Sequence, residues 1–188
     1  MRWTLLTLAM LLPLSAWGQS DGDCTAIENE VRKTDCYILK GEFIVKIDKS
    51  NFDDSTTVTL FRRANETLSI SYGGTSRPIF YIRCMENTTA MFVNASGMYL
   101  ASGFDGYGRV DYRVDDRPAG VWSMQESTDN EALGLWRGSQ SIPAIKGLFG
   151  GDVLRVKFTP FNESPVEVTF NIAGLEEQIV PLREACNW

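Results

Sequence analysis

The chain has 188 residues, with 24 acidic and 18 basic side chains, a formal net charge of −6 and no histidine. Without histidine, Ser-His-Asp and Cys-His catalytic arrangements are excluded. Because the basic side chains do not cluster and the chain is acidic overall, binding to nucleic acid or to an anionic lipid surface is not expected.

The first eighteen residues have the pattern of an export signal. Arg2 gives a basic start, and the run from Thr4 to Trp17 is mostly apolar and carries no charge. Ala16 and Gly18 stand three and one residues before a predicted cleavage ahead of Gln19. The run is too short to serve well as a membrane span. We therefore predict a soluble mature chain with no integral membrane segment, in an oxidising space where cysteines pair.

The mature chain is predicted to form one β-rich domain over residues 19–188, in three parts. Residues 19–41 form an N-terminal helical segment, in which Ile27, Val31 and Ile38 recur at roughly helical spacing. Residues 42–171 form a β core, and residues 172–188 form a C-terminal helix.

The β core contains about ten short runs of β-branched and aromatic residues separated by turn formers such as Gly73-Gly74. They begin at Phe43 and continue over residues 57–62, 67–72, 78–84, 90–94, 110–114, 120–125, 132–136, 153–159 and 166–171. Many short strands with little helix between them predict a mainly β fold, an antiparallel β-sandwich or barrel-like domain.

Two helices are predicted besides the N-terminal segment. One covers Ser141 to Phe149 and is ended by two glycines. The other covers Ala173 to Ala185. Pro181 lies inside it and lacks an amide hydrogen, so a kink or a restart of the helix is expected there.

The four cysteines allow three pairings. On one straight helix, Cys24 and Cys36 would lie about 18 Å apart, whereas a disulfide needs Cα atoms within about 7 Å. Either this pair is not bridged, or residues 28–31 turn back and make a helical hairpin. We favour the hairpin, which leaves Cys84 and Cys186 as the second disulfide. The spacings do not fit a structural zinc site, and neither a metal nor a cofactor is expected.

Several stretches occur together in one order and spacing: Cys24-x-x-Ile27 with Arg32 and Cys36-Tyr37, Arg77-Pro78 with Ile82-Arg83-Cys84, Tyr112-Arg113-Val114-Asp115-Asp116 with Trp122, and Pro181-Leu182-Arg183 with Ala185-Cys186 and Trp188. This set resembles the VasI/TagO family of exported proteins associated with bacterial type VI secretion. The chain departs from the family pattern at Lys33-Thr34-Asp35 and at Ile38.

The resemblance implies a non-catalytic periplasmic accessory protein of a type VI secretion system. It would act in assembly or regulation by binding a periplasmic protein of the apparatus or the cell wall. Two alternatives remain open: a periplasmic immunity or inhibitor protein against a toxin or hydrolase, and a hydrolase that acts on peptidoglycan. For the latter, Asp53, Asp105, Asp115 or Glu126 could supply carboxylates, but no spacing favours a pair. We therefore predict no catalytic residue.

The predicted binding surface contains Phe104, Tyr107, Arg113 and Asp115. Phe104 and Tyr107 belong to the most glycine-dense loop of the chain, and exposed loop aromatics are good binding anchors. Arg113 lies on the predicted strand over residues 110–114, and Asp115 follows directly after it.

Two further groups of residues allow a structural and a functional interpretation. Arg83 and Arg113 are expected to form ion pairs with Asp115, Asp116 or Asp129; facing a groove, these arginines would instead suit a carboxylated ligand. Tyr112, Trp122 and Trp136 are expected in the core, the alternative being an exposed stacking surface for glycan or protein.

Overall fold

The computed structural model describes residues 24, 27–29, 32, 36, 42–71 and 73–188. The predicted export signal and the predicted helical hairpin lie outside the described residues. The elements follow in chain order as β1 (Ile44–Lys49), β2 (Thr56–Arg63), β3 (Leu68–Ser69), β4 (Thr75–Ser76), β5 (Ile79–Met85), β6 (Thr88–Asn94), β7 (Arg109–Val114), β8 (Gly120–Ser123), β9 (Gln125–Glu126), β10 (Ala132–Leu135), α1 (Gly138–Lys146), β11 (Val153–Phe158), β12 (Val166–Asn171), α2 (Leu175–Gln178) and α3 (Val180–Ala185).

One sheet has six strands in the order β1-β2-β5-β6-β10-β9, and a second has four in the order β12-β11-β7-β8. The strand pairs of the described residues are antiparallel. The predicted mainly β fold is therefore confirmed. The strand predicted over residues 67–72 is shorter than expected, because only Leu68 and Ser69 pair, with β4.

A single stretch of chain belongs to both sheets. Strand β8 pairs with β7, and β9, which follows after one residue, pairs with β10. Between them the N–H of Met124 donates to the carbonyl oxygen of Gly108 at 2.8 Å. The two sheets are thereby joined along one side, which gives the sandwich its barrel-like character.

The core lies between the two sheets. Alternate residues of each strand point inward, as the period of two requires. The ring of Phe80, on β5, lies 5.6 Å from that of Phe170, on β12, and 6.4 Å from that of Phe43. The fully buried side chains include Leu60, Ile82, Met91 and Leu133 from one sheet and Leu154, Val156 and Val168 from the other.

The C-terminal segment forms two helices rather than one. α2 ends at Gln178 and α3 begins at Val180, so that Pro181 lies in the first turn of α3, where its missing N–H costs nothing. The predicted restart is confirmed. Among the described residues, none of the helices is long and apolar enough to cross a membrane.

Helix α1 begins at Gly138, three residues before the predicted start. Ser141 is not the N-cap: its hydroxyl donates to the carbonyl oxygens of Thr89 (2.7 Å) and Arg137 (3.1 Å). A serine that bonds to the carbonyl four residues earlier sits inside a helix. The same hydroxyl ties α1 to β6.

Both predicted disulfides are present. Cys24 and Cys36 have Cα atoms 5.7 Å apart, and Cys84 and Cys186 have Cα atoms 5.8 Å apart. The second disulfide joins β5 to the end of α3. Close by, the indole N–H of Trp188 donates to Oγ1 of Thr89 at 2.9 Å, so the last turn of the chain is held against the six-stranded sheet.

Candidate functional site

Four aromatic side chains from two loops lie together on the surface: Tyr99, Phe104 and Tyr107 from the loop between β6 and β7, and Phe161 from the loop between β11 and β12. We call them the loop cluster. The ring of Phe161 lies 5.7 Å from Tyr99 and 5.5 Å from Tyr107, and Phe104 lies 5.3 Å from Tyr107. Tyr99 is 56% exposed and Phe104 is 50% exposed. The cluster contains two of the four predicted binding residues.

Backbone hydrogen bonds hold the loops of this cluster together. The N–H of Phe161 donates to the carbonyl oxygen of Tyr99, and the N–H of Tyr107 donates to that of Phe104, each at 2.8 Å. The hydroxyl oxygen of Tyr107 accepts the N–H of Asn162 at 3.2 Å. Gly108 ends the loop with φ of +80°, and a Cβ there would lie 2.5 Å from the carbonyl oxygen of Met124. The loop therefore needs glycine at this position.

The other two predicted binding residues, Arg113 and Asp115, lie at the far end of β7 and directly after it. The six residues of that strand span about 20 Å, with the loop cluster before its first residue. Arg113 donates through Nε to the carbonyl oxygen of Arg117 at 3.0 Å, and its Nη2 lies 3.7 Å from Oδ1 of Asp116. The ion pair predicted for Arg113 is thus present, and it belongs to the turn after β7. The structure does not bring Arg113 and Asp115 together with Phe104 and Tyr107.

Asp115 binds backbone rather than an arginine side chain. Its Oδ1 accepts the N–H of Val153 at 2.8 Å, and its Oδ2 accepts the N–H of Asp152 at 3.1 Å. These two donors, with the positive charges of Arg117 and Arg155, hold the pKa of Asp115 below its usual range. The carboxylate therefore fixes the start of β11 against the turn after β7.

We expect Asp115→Asn to lower stability at neutral pH and the difference from wild type to shrink as the pH falls below about 3.9. A carboxyl group whose pKa is lowered on folding contributes stability above its unfolded pKa, about 3.9, and that contribution is lost as the pH falls through the folded value. Urea unfolding at pH 7 and at pH 3 measures this. Asp116→Asn is the matched control, because Asp116 is fully exposed. An equal effect of both substitutions at pH 7 would contradict the assignment.

A second group of aromatic side chains lies on the outer face of the six-stranded sheet: Phe61, Tyr81, Phe92 and Trp136, which we call the outer row. Phe61 pairs with Tyr81, and Tyr81 pairs with Phe92, across β2, β5 and β6. Their ring centroids are 5.5 and 4.9 Å apart. Because paired residues of antiparallel strands share a face, the rings form a row across the sheet.

Trp136 completes the row because Gly134 leaves room for it. Gly134 is the partner of Phe92 on β10. A Cβ at Gly134 would lie 2.7 Å from Cβ of Phe92 and 2.8 Å from Cζ2 of Trp136. The indole thus lies over the glycine, 5.1 Å from the ring of Phe92, and donates its N–H to the carbonyl oxygen of Gln125 at 3.0 Å.

The end of the outer row opens into a surface pocket of about 500 Å³. Phe92 and Trp136 form its aromatic part, and Arg83 lies beside them with its guanidinium carbon 5.5 Å from the centre of the Phe92 ring. Its polar rim comes from Asn94, Glu126, Ser127, Thr128 and Asp129.

Arg83 does not form the predicted ion pair among the described residues. Its Nε is fully buried and lacks a hydrogen-bond partner there. Asp129, one of its expected partners, instead accepts the hydroxyl of Ser127 and the N–H of Glu131, at 3.1 Å for the latter. The functional interpretation, in which Arg83 faces a groove, agrees with this geometry.

Both carboxylates at the pocket rim are held by neighbouring hydroxyl groups. The hydroxyl of Ser102 donates to Glu126 and lowers its pKa, and the hydroxyl of Ser127 does the same for Asp129. They are therefore ionised acceptors at neutral pH. Among the described residues, no three Cys, His, Asp or Glu side chains come together where they could hold a metal ion.

Of the three aromatic residues expected in the core, Trp122 is buried and Tyr112 is partly buried against the core. The ring of Trp122 stacks on that of Tyr112 at 3.8 Å. Trp136 lies outside, in the outer row. Sequence reasoning missed Tyr99 and Phe161 of the loop cluster and the first three members of the outer row. The alternation of buried and aromatic residues in β2, β5 and β6 was a signal for the row, whereas the loop partners are distant in sequence.

Fold and surfaces together define a disulfide-bonded antiparallel β protein that presents two aromatic surfaces. A family model described as Type VI secretion system VasI, EvfG, VC_A0118 matches residues 25–188. The chain belongs to this family and is a type VI secretion-associated protein, as the sequence motifs indicated. No curated protein matches the chain, and no solved structure matches it.

Proposed function

We propose that this chain is a non-catalytic periplasmic accessory protein of a type VI secretion system, which binds a partner during assembly or regulation of the machine. The family supplies the link to type VI secretion. The two disulfides support an oxidising compartment, and the export signal pattern of residues 1–18 supports delivery to it.

The loop cluster is the observation that carries the binding role. A cluster of exposed apolar side chains indicates a binding site more strongly than single ones do, because large contiguous apolar patches mark interaction sites. Aromatic side chains are enriched among the residues that dominate binding energy. The cluster rests on hydrogen-bonded loops at one end of the sandwich, so the rings are already ordered for contact. We assign the partner as a periplasmic protein of the secretion apparatus.

The carboxylates support a non-catalytic role. A glycosidase of the usual kind needs a carboxylic acid with a raised pKa beside an ionised carboxylate. Of the four carboxylates considered from sequence, Asp53, Asp115 and Glu126 accept hydrogen bonds that lower their pKa. They also lie at different places: the turn between β1 and β2, the turn after β7, and β9.

We expect Phe104→Ala/Tyr107→Ala to reduce recovery of the partner at least tenfold. Each truncation removes an aromatic contact, and dominant interface aromatics are worth about 2 kcal/mol or more. The disulfide-intact protein is used as bait on an envelope fraction of a bacterium with an active type VI system, and the captured proteins are quantified by mass spectrometry. Ile47→Ala/Val121→Ala is the matched control, because both side chains are exposed apolar groups outside the loop cluster, 60% and 45% exposed respectively.

Two results would contradict the proposal. Unchanged recovery with the double variant, at unchanged circular dichroism, would remove the loop cluster as the binding surface. Release of soluble fragments from purified sacculi by the wild-type protein would remove the non-catalytic assignment.

A further inference from the structure

The side chain of Arg83 is a half-buried cation for which the described residues offer neither a hydrogen-bond acceptor nor a carboxylate. A guanidinium has five N–H donors, and buried donors in folded proteins are nearly always satisfied. Here Nε is fully buried without an acceptor, and the group contacts the ring of Phe92 at 5.5 Å. Because Nε itself is inaccessible, an external acceptor would be met by the Nη groups of this pocket-lining arginine.

The pocket beside Arg83 has the size and composition of a small-molecule site. Its volume, about 500 Å³, falls within the range of about 300–1,000 Å³ typical of ligand pockets. One side is aromatic, formed by Phe92 and Trp136. The polar part of its lining contains the hydroxyl groups of Ser127 and Thr128 and the carboxylates of Glu126 and Asp129.

We propose that this pocket binds a carboxylated saccharide. Its carboxylate pairs with the guanidinium of Arg83, for which a planar two-oxygen acceptor is the best match. The apolar C–H face of its sugar ring lies against the aromatic side of the pocket, because the electron-rich faces of aromatic rings attract such hydrogens. Its hydroxyl or amide groups donate to Glu126 and Asp129.

The distribution of charge favours this occupant over a simple anion. Glu126, on β9, and Arg83, on β5, lie on strands three positions apart, about 14 Å at the usual strand spacing. A small anion at Arg83 would make no use of the two ionised rim carboxylates. These carboxylates accept hydrogen bonds from Ser102, Ser127 and Glu131 and keep further lone pairs for a ligand. A molecule one or two sugar rings long that has a carboxylate at one end and hydroxyl groups at the other satisfies both sides. The site is separate from the loop cluster and does not depend on the protein-binding role.

The test compares two disaccharides that differ in the carboxylate. N-acetylglucosaminyl-N-acetylmuramic acid carries a lactyl carboxylate, and N,N′-diacetylchitobiose lacks it. Each is titrated into disulfide-intact mature protein by isothermal calorimetry, with tryptophan fluorescence as a second signal. We expect the wild type to bind the carboxylated probe at least tenfold more tightly than the neutral one.

Two variants test the charged part and the aromatic part of the pocket separately. Arg83→Gln should reduce the affinity for the carboxylated probe to that of the neutral one, and Trp136→Ala should weaken both at least fivefold. Arg113→Gln is the matched control, since Arg113 lies on the other sheet and should leave both affinities unchanged. Circular dichroism and thermal unfolding verify that each variant is folded.

Equal affinity of the wild type for the two disaccharides, or binding of neither, would overturn the proposal without need of any variant. Unchanged preference in a folded Arg83→Gln protein would overturn the role of Arg83. Loss of partner capture by Phe104→Ala/Tyr107→Ala leaves this result unaffected, so failure of one proposal is distinguishable from failure of the other.

Discussion

Replacing Cys84 and Cys186 together by alanine is expected to lower the free energy of unfolding by about 4–5 kcal/mol. The disulfide closes a loop of 102 residues, and the chain-entropy model gives about 4.7 kcal/mol for a loop near 100 residues. Against a total stability of about 5–15 kcal/mol for a domain, this is a large share. Urea unfolding of the oxidised protein, followed by circular dichroism, measures the change.

The other disulfide provides the matched control. Cys24 and Cys36 are separated by twelve residues, and the same model gives about 3 kcal/mol for so short a loop. The variant without the long-range disulfide should therefore be less stable than the variant without the short-range one by about 2 kcal/mol. The opposite ranking would show that native packing, rather than loop closure, sets the contribution of each bond.

Truncation of Phe80 to alanine is expected to cost about 3–5 kcal/mol, the range measured for large aromatic residues in cores. Phe80 is fully buried and contacts Phe170 of the opposite sheet and Phe43 ahead of β1. Its loss leaves a cavity at the place where the two sheets meet. Thermal and urea unfolding of the purified variant measure the effect.

Phe52→Ala is the control for this truncation. Phe52 is 99% exposed, so its removal should change the free energy of unfolding by no more than about 0.5 kcal/mol. A cost at Phe80 as small as that at Phe52 would mean that the sheets do not pack through this ring.

Much of the fold could be predicted from the sequence, because its strands and the break between its last two helices are set by short local patterns. Short alternating runs predicted antiparallel strands, and Pro181 predicted the break between α2 and α3. A single straight helix would have kept Cys24 and Cys36 apart, so the predicted disulfide pairing rested on the preferred hairpin, and both predicted disulfides are present. Helix α1 was predicted three residues too late at both ends, since it runs from Gly138 to Lys146 rather than from Ser141 to Phe149.

The loop cluster and the outer row are formed by residues that are distant in sequence, so they were only partly predictable. Phe104 and Tyr107 were recognised from their glycine-rich loop, but Phe161 joins them from more than fifty residues away in sequence. Trp136 was expected in the core, and its position outside follows from the pairing of Phe92 with Gly134. No local pattern predicts that register.

The long-range disulfide also orders events during biogenesis. Cys84 is made 102 residues before Cys186, which at typical rates of synthesis is an interval of about 5–20 s. Over that interval Cys84 has only Cys24 and Cys36 as available partners. Closure of the Cys24–Cys36 pair before Cys84 emerges removes both competitors. For a chain that is exported and oxidised as it is made, in line with the periplasmic location proposed above, correct pairing therefore depends on timing as well as on proximity, and an oxidase that acts too slowly on the first pair would favour mispaired isomers.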